Sequence, residues 1–148
     1  MSKRGRLSHA FTCRVRDTCL CLHVQRAARA LARRFDEALR PLALTQGQFS
    51  LLMSLNRPDP PAIGSVAGLL AMDRTTLTAN LKPLERRGLV TVAVDGTDRR
   101  VRRLALTPAG RALLASAVPV WRGEQAAVER LVAGSGADRL RADLRSLS

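Results

Sequence analysis

Apolar residues in this chain recur mostly at three- and four-residue intervals, which predicts a mainly helical protein. From Asp17 to Leu42, the residues Val24, Ala28, Leu31, Phe35, Leu39 and Leu42 keep a helical spacing. Asp17 or Thr18 would cap that helix, and Pro41 would end it. Thr45 opens the next helix, TQGQFSLLMSLN, with Gln48 placed to complete a capping box. Its predicted buried side is Phe49, Leu52, Met53 and Leu55. The segment RPDPPA then breaks helix, and IGSVAGLLAM forms a short one with Val66, Leu69 and Leu70 inward.

A third helix, MDRTTLTANLKPLERRG, is framed by Asp73 as N-cap and Gly88 just past the end. Leu77, Leu81 and Leu84 stack on its apolar face. The opposite face carries Thr75, Ala79, Lys82 and Arg86, with Thr76 and Thr78 beside it. Two runs rich in Val, Leu and Thr follow, LVTVAVD and VRRLALT. The turn between them holds Asp95, Gly96, Asp98, Arg99 and Arg100. Asp-Gly favours a tight two-residue hairpin, which would place the two arginines partway along a strand; a longer loop would place them at the tip. After the hairpin, Thr107-Pro108 starts a helix that runs to about Ala133, and Pro119 should kink it. Gly134, Ser135 and Gly136 stop it, and Leu140, Leu144 and Leu147 mark a last helix.

Short helices, a tight turn, a polar-faced helix and an arginine-tipped hairpin make the plan of a winged helix-turn-helix. The expected architecture is mainly α with a small β-hairpin wing. Residues 1–16 are basic and without period, and read as a terminal arm. Residues 45–107 form the winged lobe. The long first helix (17–44) and the C-terminal helices (108–148) expose more apolar stripe than one small core covers, so a second copy of the chain is the expected cover.

Charge narrows the partner. Lys and Arg number 25 against 12 acids, a net +13 over 148 residues. Such an excess points to a polyanion, because each neutralised phosphate releases counterions. Three Phe, one Trp and no Tyr leave few platforms for stacked single-stranded bases, so duplex DNA is the expected partner. No run of about 18 apolar residues exists to span a bilayer, and the N-terminus lacks the apolar core of a secretory signal. Cytoplasmic residence is the resulting expectation, with no membrane partner.

The residues DRTTLTANLKPLERRGLV and DGTDRRVRRLALTPAG resemble the MarR family of bacterial transcription regulators. The likeness extends from about residue 20 to the end. It implies a two-fold symmetric homodimer bound to a pseudo-palindromic operator, usually as a repressor, and released by a small phenolic (aromatic) acid or an oxidant. On this chain it implies Arg74, Thr75, Thr76 and Thr78 at the major groove, with Lys82 and Arg86 on the same helix. Arg99 and Arg100 would sit on the wing, Arg100 entering the minor groove with Asp98 bracing it. The resemblance also favours the longer wing loop. Where many relatives carry a long polar residue, this chain has Ala79, and Pro83 lies inside the recognition helix. The same likeness puts an effector pocket between the lobe and the dimerisation helices, with Phe35, Phe49, Met53 and Trp121 as candidates.

Cys13, Cys19 and Cys21 admit three readings. They are small apolar fillers of an interface; or Cys19 and Cys21, near a helix start and close to Arg14 and Arg16, are oxidant-sensitive thiols; or they hold a metal with His9 or His23. Some relatives sense peroxide through a cysteine near the start of this helix. The Cys-x-Cys spacing is not that of a usual zinc knuckle, so no metal is expected, and no other cofactor either. Catalysis has little to work with: there is no Gly-rich phosphate loop, no G-x-S-x-G elbow, and both histidines lie near the N-terminus. The competing class is a sequence-tolerant architectural DNA-binding protein.

Overall fold

The computed structural model describes residues 6–148. The order is α1 (His9–Thr18), α2 (Leu20–Leu39), a 3-10 turn (Arg40–Leu42), α3 (Gln46–Ser54), α4 (Ile63–Leu69) and α5 (Arg74–Arg86). Then come β1 (Val90–Val94), β2 (Arg102–Leu106), α6 (Pro108–Leu131) and α7 (Ala137–Arg145). The two strands pair antiparallel, from Val90 opposite Leu106 to Val94 opposite Arg102. The fold is mainly helical with one β-hairpin, as the pattern predicts.

One core closes the lobe. Leu39, Leu52, Val66, Leu77, Leu84 and Leu104 are its fully buried side chains, drawn from α2, α3, α4, α5 and β2. Fully burying one such leucine contributes roughly 1.5–3 kcal/mol, so this cluster is what fixes α5 in place. The start of α6 is pressed onto the same unit. Thr107 caps it by accepting from the Gly110 amide at 3.0 Å, and its own hydroxyl donates to the Gly88 carbonyl at 2.6 Å. A Cβ at Gly110 would lie 2.1 Å from the Leu89 carbonyl oxygen, a backbone atom that cannot swing aside.

The N-terminal segment differs from the sequence expectation. Residues 9–16, read as part of an arm, belong to a helix capped by Ser8, whose side chain accepts from the Phe11 amide. Residues 1–5 of that arm lie outside the described residues. Neither Asp17 nor Thr18 caps α2. Asp17 takes a two-point ion pair from Arg16, at 2.6 and 2.9 Å, and Thr18 donates back to the Arg14 carbonyl at 2.7 Å. Cys19 breaks the helix with an extended backbone and caps α2 through its sulfur, 3.5 Å from the Leu22 amide. At the other end α2 stops at Leu39 and tightens into the 3-10 turn around Pro41, before Ala43 turns left-handed at φ 53°.

Two predicted core residues face outward. Met53 and Leu69 are exposed, while Leu51 and Ala67 are buried in their place. With only seven residues, α4 turns Val66 and Ala67 inward and leaves Leu69 out of phase with the core. The capping box at Thr45 and Gln48 forms as expected, and so do the turns at Gly88 and Gly136, both at positive φ. Helix α6 continues through Pro119, an exposed position. No helix among the described residues is long and apolar enough to cross a membrane.

Candidate nucleic-acid interface

The helix-turn-helix is α4 and α5, joined through Ala71 at φ 50°. Asp73 caps α5 with both oxygens: Oδ1 accepts from the Thr76 amide and Oδ2 from the Thr76 hydroxyl, each at 2.8 Å. Those bonds, led by the Thr76 amide, hold the Asp73 carboxyl below its ordinary range, so the cap stays charged. They also commit the Thr76 hydroxyl to the helix start. Leu77, Leu81 and Leu84 point into the core, which turns the opposite face of α5 to solvent.

On that face Arg74, Thr75, Thr78, Ala79 and Lys82 line one shallow groove of about 360 Å³. Arg86 is exposed one turn further along, outside it. The structure therefore gathers Arg74, Thr75, Thr78 and Lys82, and leaves Thr76 and Arg86 at the margins. Pro83 sits within an unbroken α5. Beyond it, Arg87 donates to the Ala43 carbonyl at 2.7 Å, tying the end of α5 to the turn after α2.

The wing loop spans 95–101 and is the longer of the two forms. Asp95 and Val101 close its base, the Asp95 amide donating to the Val101 carbonyl at 3.0 Å. Within it Asp98 accepts from the Arg100 amide at 3.0 Å and from Arg100 Nε at 3.3 Å, so Asp98 braces Arg100. The rest of the Arg100 side chain is free; it is 92% exposed. Arg99 is exposed beside it, and its carbonyl accepts from Arg102 at 2.8 Å.

Sequence reasoning missed the hub of this loop. Asp95 accepts from the Thr97 hydroxyl at 2.6 Å, from Arg103 Nε at 2.8 Å and from the amides of Thr97 and Asp98. These bonds, the Thr97 hydroxyl first and Arg103 next, hold its carboxyl far below the usual carboxylate range. Arg103 also reaches the Pro60 carbonyl at 3.5 Å, and the Leu104 amide donates to the Pro61 carbonyl at 3.0 Å. The stretch before α4 thus steadies the base of the wing. The signal was present: aspartate two residues ahead of threonine is a turn-forming pair.

The other candidates fall in two places. Phe49, Met53 and Trp121 line a cavity of about 660 Å³ between α3, α4 and α6, with Arg122 also on its wall. Phe49 and Trp121 stack with ring centres 6.2 Å apart. Phe35 is separate; it lines a smaller cavity of about 330 Å³ that Trp121 also borders. Of the thiols, Cys13 lies 3.4 Å from His9 Nε2, Cys19 caps α2, and exposed Cys21 accepts from Gln25 at 3.2 Å.

The MarR family model matches residues 44–101, the stretch holding α3, α4, α5, β1 and the wing loop. The crystal structure of the Mycobacterium tuberculosis transcriptional regulator MosR with DNA superposes at a TM-score of 0.79, with 43% identity, covering 87% of this chain and 92% of that one. The chain belongs to the MarR family. Among curated relatives, the Methylorubrum extorquens HTH-type transcriptional regulator TtmR is 35% identical over 97 residues, 66% of this chain and 50% of TtmR. The Rhodopseudomonas palustris transcriptional activatory protein BadR is 32% identical over 95 residues, 62% of this chain and 54% of BadR. The match to this MarR-family chain spans about half the length of those curated relatives.

Proposed function

We propose that this chain is a DNA-binding transcription regulator acting as a homodimer on a pseudo-palindromic operator. One observation carries the reading: α5 and the wing present Arg74, Lys82, Arg99 and Arg100 to solvent beside a threonine-lined helix face, on a scaffold like that of DNA-bound MosR. Here α5 occupies the major groove, and Arg100, steadied by Asp98, reaches the adjacent minor groove. The ends 17–44 and 108–148 serve as dimerisation helices. Leu20, Val24, Leu31, Leu140 and Leu144 support this, because they are large, apolar and exposed in the single chain. A dimer seated on its operator represses by excluding polymerase. BadR, by its name, works in the other sense, so a reporter assay with and without the regulator reads the sign directly.

The test of the main reading is competition. A duplex recovered by selection from a random pool should outcompete random duplex by at least about a thousandfold at physiological salt. Equal affinity for both would replace the regulator by the architectural DNA binder.

The cavity beside the Phe49–Trp121 stack supports an aromatic acid as the releasing effector. Its volume suits a small ligand, and Arg122 on its wall suits a carboxylate. Cys19 favours a second route. Its sulfur holds the first turn of α2, so oxidation there removes the cap of a helix that carries the exposed apolar stripe. Peroxide should release DNA from the wild type and not from a Cys19→Ser, Cys21→Ser double variant.

A further inference from the structure

We propose that the groove between Arg74 and Lys82 seats the 5-methyl group of one thymine in each half-site, so that this chain selects its operator partly by an apolar contact. The proposal rests on the DNA-binding reading above and names what the recognition helix reads.

The floor of the groove is short-chained and open. Ala79 offers only its Cβ. Thr78 spends its hydroxyl on the Arg74 carbonyl at 2.8 Å, which leaves its γ-methyl as the group to present outward. Arg74 does not fold over this floor. Its guanidinium leans across the start of α4, over Gly64, where an added Cβ would come within 2.6 Å of Nη2. Eight residues on, Lys82 stands about 12 Å further along the axis. Two cations therefore bracket a small apolar patch, rather than one long polar side chain filling it.

Thymine is the base that fits. Its major-groove edge alone carries a methyl group, and alanine and the threonine methyl are the side-chain groups that meet it. The same edge offers O4 as an acceptor. The Thr75 hydroxyl, which bonds to nothing else among the described residues, is the available donor on that wall. Arg74 and Lys82 then meet the flanking phosphates, contacts that position the helix without specifying sequence.

The test uses the full chain and a duplex recovered from a random pool. Each thymine is replaced in turn by deoxyuridine, which keeps O4 and loses the methyl. One thymine per half-site should weaken binding by about fourfold when replaced, the effect of returning one methyl group to water. Thr78→Ser keeps the hydroxyl bond and loses the methyl, and lies on the surface, so it should fold normally and narrow the difference between thymine and uracil duplexes, the Ala79 Cβ keeping the remainder. A selected operator with no uracil-sensitive thymine, or a Thr78→Ser protein whose sensitivity is undiminished, overturns the thymine assignment and leaves the regulator reading standing. Failure to recover any preferred duplex overturns both together.

Discussion

Leu77, Leu81 and Leu84 of the recognition helix are between 0 and 3% exposed, whereas Leu140, Leu144 and Leu147 at the C-terminal end are between 38 and 64% exposed. Both sets follow the same helical spacing. The difference is what lies opposite them. Helix α5 lies on α4 and β1, inside a lobe whose elements close on one another. Helix α2 is split: Phe35 and Leu39 join the core, while Leu20, Val24 and Leu31 remain outside. An apolar stripe is thus a statement of need, and only its surroundings say whether the chain meets that need itself.

This contrast can be broken most sharply at the lobe. Leu84→Ala removes a fully buried side chain that the surrounding elements hold rigidly, and should cost about 3–5 kcal/mol in denaturant unfolding. A loss under about 1 kcal/mol would mean that α5 is not anchored by this core. The matching change at the other end is Leu144→Asp. It should shift sedimentation from dimer to monomer at micromolar protein and leave the lobe's helicity unchanged. Unaltered sedimentation would show that the exposed stripe is not an interface.

Within the lobe, helix and wing are held by different means, which two further variants separate. Arg100→Ala should weaken binding to the selected duplex by about tenfold or more, with the unfolding midpoint unchanged. Unchanged affinity would remove the wing from the interface. Asp95 is subtler. An unfolded aspartate titrates at about 4 and the folded Asp95 carboxyl far below it, so its contribution is complete above the unfolded value and is lost as pH falls toward the folded one. Hydrogen exchange at the Thr97 and Asp98 amides should therefore lose protection on acidification below about pH 4 in the wild type. In Asp95→Asn, protection should already be low at neutral pH and nearly flat below it. Identical profiles would show that the wing is held by its strands alone.

Much of the lobe was legible in the sequence because its signals are local. Asp73, Thr45 with Gln48, Gly88 and Thr107 each act within four residues, and each caps or ends its helix as its chemistry dictates. The longer wing loop was favoured by resemblance, against the Asp-Gly pair, and the Asp95 bonds explain why Gly96 does not make a tight turn. Met53 and Leu69 were misjudged because each fits a helical stripe equally well in two phases. Cys19 as a cap was missed because its competitors, Asp17 and Thr18, are better cap formers until Arg16 and the Arg14 carbonyl take them.

By itself the sequence determined the element order, most helix ends, the apolar stripes and the basic balance, since caps, periodicity and charge act over one or two turns of chain. Tertiary structure alone decided that Arg103 joins Asp95, that Arg74 leans over Gly64, and that Phe35 and Phe49 line different cavities that share Trp121. Those outcomes depend on which surfaces meet, and residues eight to ninety positions apart carry no local signal of the distance at which folding will place them.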